Sequence, residues 1–152
     1  MRPSSLKPKP SWSNRFAMPT VAELRAGLMV EASPAFDHAR QALAQLPGVV
    51  ESLKWMGVPW SWALVYGPAG EPEAWAFVIP EPGRLQVAMT LPSDRLGDIP
   101  VKRLSRFLRD GLMQTQVVGR ACWPAWIVGT TAQVDEVAKL IQGIRVQDTV
   151  PV

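Results

Sequence analysis

Four of the seven tryptophans, Trp55, Trp60, Trp62 and Trp75, crowd into one stretch of the chain, against one Tyr, one His and four Phe in the whole of it. Their chemistry is recognition rather than bond making: an indole offers a large apolar body and a single N–H donor that wants a partner when buried. Such a cluster either fills a core beneath a helix or walls a pocket for a flat apolar ligand. The residues leave both uses open. Trp60 and Trp62, two apart in a strand-like run, are expected to share one sheet face, with Gly57 and Pro59 tightening the loop before them. Trp75 on the next strand is placed to stack beside them as a cross-strand neighbour. Lys54, Ser61, Tyr66 and Arg84 are the nearby polar groups. The candidate ligand-binding set is therefore Trp55, Trp60, Trp62, Trp75, Tyr66 and Arg84.

Bond-making constellations are poorly represented. Nucleophilic catalysis needs a base beside the nucleophile, and His38 and Cys122 are each the sole residue of their kind. Cys122 sits in an apolar run and reads as an inert buried thiol. There is no Gly-x-Ser-x-Gly elbow, and the glycines at 57, 67, 70 and 83 form neither a dinucleotide fingerprint nor a phosphate loop. One His and one Cys cannot furnish a zinc site, and the carboxylates are scattered, so neither a metal site nor a cofactor is expected. Tyr66, Arg84 and Glu51 have the residue types of an acid–base set, with no spacing signal to join them.

The net charge of +3 is concentrated at the N-terminus. Arg2, Lys7, Lys9 and Arg15 stand there without an acid, interleaved with Pro3, Pro8 and Pro10, and the rest of the chain holds slightly more acidic than basic groups. This reads as a basic, Pro-rich flexible tail over 1–17 and a single domain over 18–152. Deleting residues 1–15 should then leave the fold intact. About four phosphate contacts would support only weak, salt-sensitive binding, so nucleic acid is not the expected partner. The chain has 152 residues and 47% hydrophobic content, enough for one unstapled core. No run approaches a membrane span and no apolar stretch follows the N-terminal charge, so the expected location is the cytoplasm.

The elements that must position these residues follow from pattern. Thr20 and Glu23 form a capping-box signature before a helix over about 20–29, and Ser33-Pro34 opens a second that ends at Pro47-Gly48. Four strand-like runs come next: Val49 to Trp55, Trp60 to Tyr66, Trp75 to Ile79, and Leu85 to Leu91. Their short connections favour an antiparallel meander. Pro100 opens a helix carrying Leu104, Phe107, Leu108 and Leu112. Val117-Val118 and Trp123 to Val128 suggest a fifth strand, kinked at Pro124 or at an edge available for a homodimer. Thr131 caps a final helix with Val134, Val137, Leu140, Ile141 and Ile144 at core spacing. The sum is an α+β domain, one mostly meander antiparallel sheet of about five strands with helices at both ends packed on one face.

Met18-Pro-Thr-x-x-x-Leu24, Leu53-Lys-Trp-x-Gly-x-x-x-x-Trp62, the Pro80-x-x-Gly83 turn and Gly119-Arg-x-x-Trp-x-x-Trp126 together resemble a family of small bacterial proteins of unknown function related to the YdhG-like domains. The resemblance runs from about Met18 to Arg145. It implies a compact α+β domain and supplies no catalytic residues. Some YdhG-like relatives are described as frataxin-like iron chaperones, which implies an acidic iron-binding surface that this chain lacks as a ridge. A more distant similarity is to effector-binding domains that enclose hydrophobic cations with Trp and an acidic residue. The function expected from the whole reading is a non-enzymatic domain that binds a small flat or hydrophobic molecule, or a protein, through the Trp-rich face. The alternatives are an iron chaperone and an enzyme acting through Tyr66, Arg84 and Glu51.

Overall fold

The computed structural model describes residues 12–57, 59–70, 74–115 and 117–149, with side chains to residue 145 in the last helix. Helix α1 (Val21–Ala26) opens with both halves of the expected capping box: the Thr20 amide donates to Glu23 Oε1 (2.9 Å) and the Glu23 amide to Thr20 Oγ1 (3.1 Å). Helix α2 (Ser33–Ala44) starts with Pro34 in its first turn, where the missing N–H costs nothing. Strands β1 (Val49–Trp55), β2 (Trp62–Pro68), β3 (Ala76–Glu81) and β4 (Arg84–Met89) then form the meander, and β8 (Ala125–Ile127) joins beyond β4. Every pairing is antiparallel, in the order β1-β2-β3-β4-β8. The α+β meander is thus present as expected.

The region after β4 departs from expectation in detail. A second sheet, of three short strands, is made by β5 (Leu91–Pro92), β6 (Val117–Val118) and β7 (Ala121–Cys122), in the order β5-β7-β6. The single fifth strand expected over this region is divided, because Pro124 cannot donate to a ladder and separates β7 from β8. Two 3₁₀ turns at Ser93–Asp98 and Val101–Arg103 precede helix α3 (Arg106–Met113). That helix starts not at Pro100 but after Ser105, whose hydroxyl accepts from the Leu108 amide (3.3 Å). Helix α4 (Thr131–Thr149) is capped one residue earlier than expected, by Thr130 Oγ1 accepting from the Gln133 amide (3.1 Å).

The pleat assigns the side chains to two layers. Leu64, Tyr66, Ala76, Val78, Leu85, Val87, Met89 and Trp126 face Ala35, Phe36, Ala39 and Leu43 of α2 and Val134, Val137 and Ile141 of α4. Ala63, Val65, Phe77, Ile79 and Ala88 face the other way, where among the described residues Trp12, Met56, Trp60, Ala74, Trp123 and Ala125, rather than helix side chains, pack on them. Helix α3 reaches the first layer through Leu108 and Leu112. Its close approach depends on Gly111. The Trp126 indole lies directly over that glycine and donates from Nε1 to the Leu108 carbonyl (3.1 Å), so a Cβ at 111 would collide with the ring.

Within the span expected as a tail, residues 1–11 lie outside the described residues, whereas the segment from Trp12 is packed. The Trp12 carbonyl accepts from the Trp62 amide (3.3 Å), and the Asn14 carbonyl accepts from Trp62 Nε1 (2.7 Å). No helix among the described residues is long and apolar enough to cross a membrane.

Two predictions follow from these contacts. Removing residues 1–15 should lower stability by about 2 kcal/mol, at roughly 1 kcal/mol per hydrogen bond lost, read as a lower urea midpoint. An unchanged midpoint would mean that the Trp12–Asn14 contacts contribute nothing to stability. Gly111→Ala should cost about 1–3 kcal/mol through overpacking against Trp126, although alanine is the better helix former by about 1 kcal/mol. A stabilised variant would contradict the tight packing.

Candidate functional site

Strand β1 ends at Trp55, and residues 56–57 and 59–61 are described between it and β2. Gly57 takes φ +80° and Ser61, unusually for a residue with a Cβ, φ +48°. The turn is closed by two short backbone bonds, Ser61 N–H to the Gly57 carbonyl (2.6 Å) and Met56 N–H to the Ser61 carbonyl (2.7 Å). The left-handed Ser61 interrupts strand alternation between its neighbours. Trp60 and Trp62 therefore do not share a face, which corrects the expectation from their two-residue spacing.

Trp62 begins β2 in alternation with Leu64 and Tyr66, opposite Trp55 in register, and the two rings meet edge to face at 5.7 Å. Trp60 packs on the helix-free side against Phe77 (5.0 Å) and Trp123 (5.6 Å), and Phe77 and Trp123 also meet each other (5.7 Å). Trp75 stacks on neither group. It lies just before β3, packed against the helix-side core, with the Arg145 guanidinium 5.1 Å from its ring centroid. Arg145, from α4, also donates to the Thr90 carbonyl (2.6 Å), so Trp75 has an internal cation–π partner.

The acid–base set does not assemble either. Tyr66 is fully buried and donates from its hydroxyl to Glu51 Oε2 (2.6 Å); the cation completing this group is Arg40 of α2, whose guanidinium holds both carboxylate oxygens of Glu51 (2.8 and 3.1 Å). Burial raises the Glu51 pKa, but the bonds from Arg40 and Tyr66 more than offset it, leaving the carboxyl below its ordinary range. Burial, then the bond to Glu51, drives the Tyr66 hydroxyl far above its ordinary value. A phenol so held gives up its proton less readily than a free one. Arg84 pairs with Glu81 at the β3–β4 turn (2.9 Å). Tyr66 and Arg84 lie opposite Ala76 and Glu81 on β3, five residues apart or roughly 17 Å along the strand.

Two other isolated groups are also placed. His38 Nε2 lies 2.6 Å from Asp135 Oδ1, joining α2 to α4, a partnership no sequence pattern announced. Cys122 is buried, and burial pushes its thiol pKa up. Among the described residues no three His, Cys, Asp or Glu side chains are grouped to hold a metal ion.

The face of the sheet turned away from α2 and α4 carries two cavities, one of them walled in part by the end of α3. One cavity, of about 550 Å³, has Val65 and Phe77 in its lining, with Lys54 and Met56 from the β1 side and Thr90, Leu91, Arg120 and Trp123 from across the small sheet. A second, of about 410 Å³, is lined by Met56, Pro59, Trp60, Gly111, Gln114 and Trp123 among others. Met56 and Trp123 belong to both, so the two cavities adjoin as one groove. Each volume lies within the roughly 300–1,000 Å³ of small-molecule sites. Of the six expected ligand residues, Trp60 lines this groove; Trp55, Trp62, Trp75, Tyr66 and Arg84 do not. The aromatics that join Trp60 are Phe77 and Trp123. The signal for Trp123 and Arg120 was present in the segment Gly119 to Trp126, where a two-residue turn at Gly119 (φ +63°) and Arg120 links β6 to β7.

No protein-family model matches the chain, and no curated protein matches it.

The Arg40–Glu51–Tyr66 group carries a pH prediction. A carboxyl whose folded pKa is depressed contributes stability above its unfolded value, and that contribution is lost as pH falls through the folded value. Wild-type stability should thus decline below the ordinary glutamate value of 4.5 more steeply than that of Glu51→Gln, in urea titrations stepped down from pH 6. Parallel acid limbs would show that Glu51 keeps its ordinary pKa.

Proposed function

We propose that this chain is a non-enzymatic binding domain that takes a flat, hydrophobic small molecule in the groove on the helix-free face of its sheet. The observation carrying this reading is the aromatic triad of Trp60, Phe77 and Trp123, clustered beside two adjoining cavities. Trp60 and Trp123 are only half-buried. Each therefore retains ring area to offer a ligand, and stacking on an aromatic contributes beyond area burial alone. Concavity favours a small molecule over a protein, whose interface needs a broader surface of roughly 800 Å² on each side.

The two alternative readings find less support. An enzyme built on Tyr66 and Glu51 would have to work from a hydrogen-bonded cluster on the opposite side of the sheet, without Arg84. An iron chaperone would need a ligand grouping that the described carboxylates do not form. Kinship with the YdhG-like domains belongs to the same proposal. What supports it is the α+β meander, together with the way the Leu53–Trp62 and Gly119–Trp126 motif segments both contribute to the groove.

N-phenyl-1-naphthylamine, a flat neutral fluorophore, is the probe. Its emission should rise on titration with the wild-type protein, and Trp60→Ala should weaken binding about tenfold while the urea midpoint moves little. Trp55→Ala, on the other face, should leave binding unchanged. Absence of binding by the wild type, or equal binding by Trp60→Ala, would overturn the proposal.

A further inference from the structure

The larger cavity has a polarity that the aromatic reading does not use. Its lining is apolar except for Lys54, Thr90 and Arg120. No Asp or Glu is among its described lining residues, and neither cation has an ion-pair partner among the described residues. Arg145, which bonds the carbonyl of the lining residue Thr90, does not itself line the cavity and has its guanidinium over the Trp75 ring. Thr90 is also committed as a donor, its hydroxyl bonding the Ala74 carbonyl (2.6 Å).

The two cations are held by different supports. Lys54 is fixed by its register in β1, opposite Ala63, which places it on the pleat that faces away from the helices. Arg120 sits in the β6–β7 turn, and its carbonyl accepts from the Ser93 amide (2.7 Å), tying the turn to the segment after β5. Two positive charges on separate elements thus border one cavity whose remaining lining is largely apolar. A cationic ligand would meet like charge there, and a neutral one would leave both charges unused.

We infer that the ligand of this groove is an amphipathic organic anion, with a flat apolar body lying against Met56 and Trp123 and a carboxylate, sulfonate or phosphate end meeting Lys54 and Arg120. The inference rests on the groove proposed above and adds the sign of the ligand's charge. An anion bonded to guanidinium and ammonium groups makes charge-assisted hydrogen bonds, about twice as strong as neutral ones. Because both cations are exposed, this attraction is weakened by salt.

The test pairs two fluorophores with nearly the same body, 1-anilinonaphthalene-8-sulfonate and neutral N-phenyl-1-naphthylamine, against the full chain and the double variant Lys54→Gln/Arg120→Gln. Both substitutions are at exposed positions and keep much of the side-chain stem, and matching urea midpoints would establish an intact fold. The wild type should bind the sulfonate at least tenfold more tightly than the neutral probe, with the preference shrinking between 50 mM and 500 mM salt. The double variant should lose that preference, read as the ratio of the two probes' affinities in the same protein. Equal affinities in the wild type, or a sulfonate preference that survives in the double variant, would overturn the anionic assignment while leaving the groove in place. Failure of both probes to bind would overturn the groove as well.

Discussion

Strands β2 and β3 are buried on both faces, and most of the architecture answers to that constraint. A sheet in this position must be covered twice, yet the helices supply only one layer, made by α2 and α4 with α3 at its margin. The second layer comes from side chains delivered by turns and short strands: Trp12 from the N-terminal segment, Trp60 from the β1–β2 turn and Trp123 from between β7 and β8. Indoles cover area well because each buries on the order of 200 Å². They do not tile a sheet as a helix does, since each is anchored separately. The groove beside Phe77 and Trp123 is the space left between those anchors.

On the helix side, polar groups join the layers at defined points. Arg40 of α2 clamps Glu51 of β1, which receives the Tyr66 hydroxyl from β2, so a helix and two strands meet in one charge-assisted network. His38 and Asp135 tie α2 to α4, and Arg145 ties the far part of α4 to the β4–β5 junction through Thr90. Of these groups only Thr90 lines the groove. Their effect is to hold the sheet as a platform, and a site built on strands of a braced sheet keeps its geometry better than one built on free loops.

The left-handed Ser61 shows how a local conformation redirects a whole side chain. Such a φ in a residue with a Cβ costs on the order of 1 kcal/mol. Here it accompanies two short backbone bonds that close the turn. The gain is positional: Trp60 goes to the groove while Trp62, two residues later, goes to the opposite layer against Trp55. Gly111 acts similarly through absence of a side chain, letting the Trp126 indole reach the α3 backbone.

Local patterns in the sequence determined most of the elements. The Thr20–Glu23 capping box, the Ser33-Pro34 start, the period-2 runs of β2 to β4 and the core spacing of α4 depend on interactions within a few residues, so they are readable from order alone. The α+β class and the antiparallel meander follow from the same runs and their short connections. Which tryptophans meet was not readable, because alternation assumes an unbroken strand and Ser61 breaks it. Nor was the split of the chain after β4 into two sheets, or the choice of Arg40 over Arg84 as the partner of Glu51. Those depend on residues far apart in sequence: Trp60 contacts Phe77 and Trp123, and Lys54 and Arg120 both line one cavity. Residue types named the ingredients of a binding face; only the packing of distant elements decided which face of the sheet a helix left uncovered, and hence where the ingredients meet.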